Sequence, residues 1–218
     1  FINSPTENTG LVEFTPSLAI IAVLFLQLPM LAVFYGARRF YPNQYAGQLN
    51  RVELTIFGAF RQAYPLFLMF LPLIWITSLI WTSLLSIFEQ VGWIGEVEQQ
   101  ELVTLFQTGG HPLAIILLVG LAVIMAPVVE ELIFRACIYR FLKSQTSLKM
   151  GQISSACIFS LMHGNLMSFM PLIIVGIILA KIYEKTGNIL VPIWFHALFN
   201  ALSLLMLLIT SMSNAIPQ

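Results

Sequence analysis

The chain is predicted to be an all-α, polytopic integral membrane protein with about six transmembrane helices. Three features of its sequence point there. First, 58% of its 218 residues are hydrophobic and 9% are charged, whereas a soluble domain is about 45–50% apolar and about 25% charged. Second, uncharged apolar runs near 20 residues recur, the length needed to cross about 30 Å of hydrocarbon. Third, of ten Lys and Arg and ten acidic residues, every one a Glu, all ten bases sort to one end of those runs and six of the acids to the other. So few charges cannot cover a water-soluble globule. The same composition excludes a disordered chain, a basic nucleic-acid binder and a disulfide-stapled secreted domain.

The first span is expected over residues 17–35. Residues 1–16 before it are polar and acidic and lack the basic start of a signal peptide. Because the chain begins at Phe1 rather than Met, it reads as a processed chain or part of a longer one. Residues 50–63 alternate polar positions with Val52, Ile56, Phe57 and Phe60, as an interfacial helix would. Residues 64–88 form a second span, long enough to tilt. The acidic stretch 89–111 is expected to hold a short outer helix at about 97–106.

The third span starts at Pro112 and runs through Val129 toward Phe141, with charges in its second half. Residues 151–165, 168–183 and 189–212 form the fourth, fifth and sixth spans. In the fifth, Gly176 and Ala180 have the small-x-x-x-small spacing that lets helices approach closely. Two regions are expected: residues 1–111 with two spans and their loops, and residues 112–218 with the remaining four. Cys137 and Cys157 lie in apolar stretches and read as buried thiols. Packed helix axes stand about 8–10 Å apart, beyond the roughly 7 Å between Cα atoms that a disulfide tolerates.

With six alternating spans, all ten basic residues fall on one side. Glu7, Glu13, Glu89, Glu96, Glu98 and Glu101 fall on the other. The positive-inside rule then puts both termini outside the cytoplasm.

Charges within spans are costly and mark function when a partner can be named. Glu130, Glu131 and Arg135 lie in the third span, Phe159 and His163 in the fourth, His196 and Asn200 in the sixth. Arg140 is ten residues beyond Glu130, Lys149 fourteen before His163 and Lys185 eleven before His196. At 1.5 Å per residue these steps are about 15, 21 and 16 Å, so all three polar sites share a mid-membrane depth. Spacing of i,i+4 puts His196 with Asn200, Phe159 with His163, and Glu131 with Arg135 on common faces. Glu130 points about 100° away from Glu131 and lacks a local partner, which leaves His163 as the natural one. Pro127 removes a backbone hydrogen bond just before the pair.

A carboxylate beside a histidine can deprotonate a held water, and a second histidine with an amide can donate to a developing oxyanion. Peptide hydrolysis is one chemistry that uses this set. Others remain open: interhelical hydrogen-bond glue, a structural Glu131–Arg135 clamp, an ion or proton relay, or Zn²⁺ held by Glu130, His163 and His196. The His-Glu-x-x-His pattern of zincins is absent.

In order and spacing, Glu130-Glu131-x-x-x-Arg135, Phe159-x-x-x-His163 and His196-x-x-x-Asn200 resemble the three motifs of the CPBP family. These are the CAAX-protease and bacteriocin-processing intramembrane endopeptidases, also called Abi. The resemblance covers about residues 112–212. It implies a glutamate-type intramembrane protease with a four-helix catalytic core, and residues 112–218 as its catalytic membrane domain. Glu130 and His163 would activate water, His196 and Asn200 would form the oxyanion hole, and Glu131, Arg135 and Phe159 would support them. No cofactor is expected on this reading, with Zn²⁺ the alternative. The expected partners are a membrane-associated peptide or protein substrate and the bilayer, without nucleic acid. The short chain suggests a prokaryotic plasma membrane. A non-catalytic scaffold or a bacteriocin-immunity protein is the rival from another class.

Overall fold

A computed structural model describes residues 15–42, 49–95 and 112–214. Among them there are six helices and no strand: α1 (Pro16–Phe40), α2 (Ile56–Gln90), α3 (Pro112–Gln145), α4 (Leu148–Met162), α5 (Phe169–Thr186) and α6 (Leu190–Asn214). The expected outer helix at 97–106 lies outside the described residues.

Four helices are long and apolar enough to cross a membrane: α1, α2, α3, and α6 over Leu190–Thr210. The protein is thus an integral membrane protein. The other two helices are shorter. α4 has 15 residues and α5 has 18, about 22 and 27 Å at 1.5 Å per residue. They form a hairpin in which α5 is the more buried helix and α4 keeps one side exposed.

Helix starts follow capping chemistry. Thr15, Thr55 and Ser147 each accept a backbone N–H three residues on through the side-chain oxygen. α5 stops at Gly187, whose φ of 64° is left-handed backbone that suits glycine. One expectation is corrected here. Residues 56–63 are not a separate interfacial helix but the first turns of α2, which continues unbroken through Pro65 and Pro72. Once Thr55 caps the helix, nothing in the following residues stops it.

The segment 49–55 is instead tied to the α5–α6 turn. Arg51 and Val52 donate backbone N–H groups to the Gly187 carbonyl. Asn188 donates to Val52 at 2.8 Å, and Asn50 accepts from Ile189 at 2.9 Å. Glu184 gathers Lys143 at 2.7 Å, the Tyr139 hydroxyl at 2.8 Å and Arg51 at 3.6 Å. The start of α2, the last turns of α3 and the end of α5 therefore share one end of the bundle, the basic end.

Around the hairpin the helices close in two apolar clusters. Phe67 and Ile74 of α2 meet Val175 and Leu179 of α5 and Phe195 of α6. Phe34 of α1 meets Phe134 of α3, Phe159 of α4 and Leu172 of α5. Cys137 and Cys157 are free thiols, each partly buried. Gly176 and Ala180 are both buried. A Cβ on Gly176 would stand 2.8 Å from the Ala156 Cβ and 2.9 Å from its Cα, so α4 and α5 touch through backbone there.

That contact predicts the effect of a single methyl group. Gly176→Ala should destabilise the protein by about 1–3 kcal/mol, the usual range for overpacking, and Ala156→Gly should recover part of the loss. Unfolding of both variants in detergent measures this.

Candidate active site

The site forms where α3, α4 and α6 cross at one depth. α3 is not a uniform α-helix there. It carries two wide, π-type turns, Leu121–Met125 and Phe134–Tyr139, on either side of the segment with Glu130 and Glu131. In the first, the Ala126 N–H donates to Leu121 O instead of Ala122 O. The freed Ala122 carbonyl accepts from Asn200 Nδ2 of α6 at 2.9 Å. The Phe134 carbonyl, which opens the second, accepts from Ser155 Oγ of α4 at 3.4 Å. In a bilayer interior, where water is scarce, a freed carbonyl such as that of Ala122 needs a partner from a neighbouring helix. Wide turns of this kind occur often at functional sites.

Glu131 is fully buried, and its oxygens face in two directions. One lies 3.1 Å from Arg135 Nε in the i,i+4 pair expected from the spacing. The other accepts from His196 Nδ1 at 3.0 Å. Arg135 is itself buried, donates to the Gly176 carbonyl of α5 at 3.3 Å, and lies over the Phe159 ring with its Cζ 4.8 Å from the centroid. Phe159 also meets the imidazoles of His163 and His196 edge to face, at 4.7 and 5.8 Å between ring centres.

Glu130 faces the other way. Its Oε2 is buried without a hydrogen-bond partner. It lies 3.9 Å from His163 Nε2 and 3.7 Å from His196 Nε2. His163 Nδ1 stands 2.8 Å from the Phe159 carbonyl, which can only accept, so that nitrogen carries a proton. By the same logic His196 donates from Nδ1 to the Glu131 carboxylate. A neutral ring then turns a bare Nε2 toward a bare carboxylate oxygen. Three acceptors converge, and a proton, a water or another positive centre must mediate between them.

The expected pairings of Glu130 with His163, Glu131 with Arg135 and Phe159 with His163 are all present. Sequence reasoning missed the Glu131–His196 bond, the Gly176 carbonyl under Arg135 and the Ala122 carbonyl under Asn200. These join residues 41 to 78 positions apart, and no local spacing signals them. Glu130, His163 and His196 carry suitable donors for Zn²⁺. Among the described residues, however, no three His, Cys, Asp or Glu are grouped as metal ligands would be.

Removing one partner of a buried pair leaves the other charge uncompensated, at a cost of about 3–5 kcal/mol. Arg135→Met keeps volume and removes the cation, so a loss of that order is expected. It is measured by unfolding in detergent against wild type.

Residues 112–202 match the family model described as Type II CAAX prenyl endopeptidase Rce1-like. "Putative membrane peptidase YdiL" of Bacillus subtilis (strain 168) is 30% identical over 93 residues, which are 43% of this chain and 38% of that protein. The chain thus aligns with well under half the length of this curated relative. No solved structure matches it. The three motifs fall within the matched segment, residues 112–202, so that part of the chain is similar to the Rce1-like family model.

Proposed function

We propose that the protein is a glutamate-type intramembrane endopeptidase that hydrolyses peptide bonds of membrane-associated substrates. One observation carries this reading: Glu130 Oε2 is buried, lacks a hydrogen bond and faces the Nε2 atoms of His163 and His196. Glu131, by contrast, accepts from His196 and pairs with Arg135.

In the proposed cycle a water sits between Glu130 and His163. Glu130 takes one of its protons, and the resulting hydroxide attacks the scissile carbonyl carbon. The carbonyl oxygen becomes an oxyanion, which His196 and Asn200 hold. Asn200 spends one amide hydrogen on Ala122 and keeps a second to donate. His196 has its Nδ1 on Glu131, so it donates from Nε2 only as an imidazolium. Glu131 suits that state. Among the described residues Glu130 and Glu131 face one arginine, Arg135, and a proton on His196 would cancel the remaining negative charge in a medium where an unpaired charge is costly. Collapse of the intermediate breaks the C–N bond, and the proton held by Glu130 passes to the leaving amine.

On this reading residues 112–218 form the catalytic membrane domain and the first two helices brace it. The bundle sits in a prokaryotic plasma membrane with its basic end in the cytoplasm.

Reconstituted protein should cleave members of a peptide library. Glu130→Gln and His163→Ala should each lower the rate by roughly 10²–10⁴, and Asn200→Ala by roughly 10²–10³ in kcat. Activity should survive exhaustive chelation with no metal left bound. Loss on chelation and recovery with Zn²⁺ would replace the water-activating Glu130 with a metal centre. A wild-type protein that cleaves nothing but carries a Glu130-dependent proton flux would overturn the peptidase reading.

A further inference from the structure

The two ends of the site differ. Toward the basic end it is sealed: Tyr139, Tyr183, Asn188 and Ile189 are buried, and segment 49–55 is bonded across the α5–α6 turn. Toward the other end lies the tip of the α4–α5 hairpin. His163 is the residue just after α4, followed by Gly164 in left-handed backbone at φ 61°. Met162 and Leu166 are 57% and 46% exposed, and the His163 side chain is 29% exposed against 3% for His196.

Helix lengths turn this exposed tip into a recess. α3 begins eighteen residues before Glu130, and α6 runs eighteen residues past His196. Each therefore rises about 27 Å beyond the site. α2 passes the tip at Trp81 and continues nine residues to Gln90, about 13 Å further. The α4–α5 hairpin stops at the level of the site. Its tip is held down: Trp81 Nε1 donates to the Leu166 carbonyl at 2.8 Å, the Trp81 ring lies 6.5 Å from that of Phe169, and Ser160 Oγ bonds the Phe169 carbonyl at 2.6 Å.

We propose that water and an extended peptide segment of the substrate reach Glu130 over the α4–α5 tip, past His163, from the face opposite the basic end of the bundle. The substrate part rests on the peptidase reading; the opening itself does not. The scissile carbonyl is presented from the side where the helix walls extend beyond the hairpin, while among the described residues Tyr139, Tyr183, Asn188 and Ile189 fill the basic end.

The test uses the full chain with Cys137→Ala and Cys157→Ala, carrying one new cysteine at Leu166→Cys, Lys149→Cys or Lys185→Cys. All three positions are exposed. A membrane-impermeant maleimide is applied to intact spheroplasts and to inside-out vesicles. Leu166→Cys should react from one side, and the two lysine positions from the other. Reaction of all three from the same side, or of Leu166→Cys only after detergent, overturns the route. A bulky maleimide adduct at Leu166→Cys should slow cleavage at least tenfold, while the same adduct at Lys149→Cys should leave it within twofold. Unchanged cleavage with the Leu166→Cys adduct overturns the substrate path. Labelling needs no activity, so a protein that cleaves nothing yet labels as expected sinks the peptidase reading and keeps the opening.

Discussion

Glu131 and Arg135 place two opposite charges with almost no exposed surface inside a membrane bundle, one helical turn apart on α3. Neither could stay there alone, because an unpaired ion in that medium costs several kcal/mol. Their partners are what join the bundle. Glu131 reaches α6 through His196, and Arg135 reaches α5 through the Gly176 carbonyl and α4 through the Phe159 ring. One ion pair thus contacts every helix of the core α3–α6. The rotation of α3 that satisfies Glu131 also turns Glu130 toward the two Nε2 atoms.

A second constraint comes from the solvent. A bilayer offers no water to stray backbone groups, so each departure from α-helical bonding must be matched by a neighbouring side chain. The two wide turns of α3 follow this rule, with Asn200 on the Ala122 carbonyl and Ser155 on the Phe134 carbonyl. Asn200 is therefore placed by the same irregularity that sets the angle of the Glu130 segment. Glu130 and Asn200 are coupled through one backbone distortion.

The hairpin of α4 and α5 adds asymmetry. Its backbone contact at Gly176 and Ala156 brings Phe159 and the Gly176 carbonyl close enough to serve Arg135. Its shortness leaves His163 at an edge while His196 stays enclosed. A longer hairpin would have buried both histidines and shut the site on both ends.

Much of this was legible from residue order alone. Apolar runs predicted the helices, because lipid demands apolar residues over a set length. The i,i+4 spacings predicted Glu131 with Arg135 and Phe159 with His163, because a helix places those residues one above the other. Comparable distances from the basic residues, about 15–21 Å, predicted that Glu130, His163 and His196 share a depth. The interfacial helix at residues 50–63 was misread because amphipathic alternation looks the same at the start of a long tilted span. Rotation about each helix axis was beyond the sequence. Which nitrogen of His196 faces which glutamate, where α3 widens, and which carbonyls Arg135 and Asn200 meet depend on contacts between helices far apart in the chain. Sequence determined which polar groups enter the membrane and at what depth. Only the packed bundle decided which partner each of them meets, and that Glu130 Oε2 faces two imidazoles without a hydrogen bond.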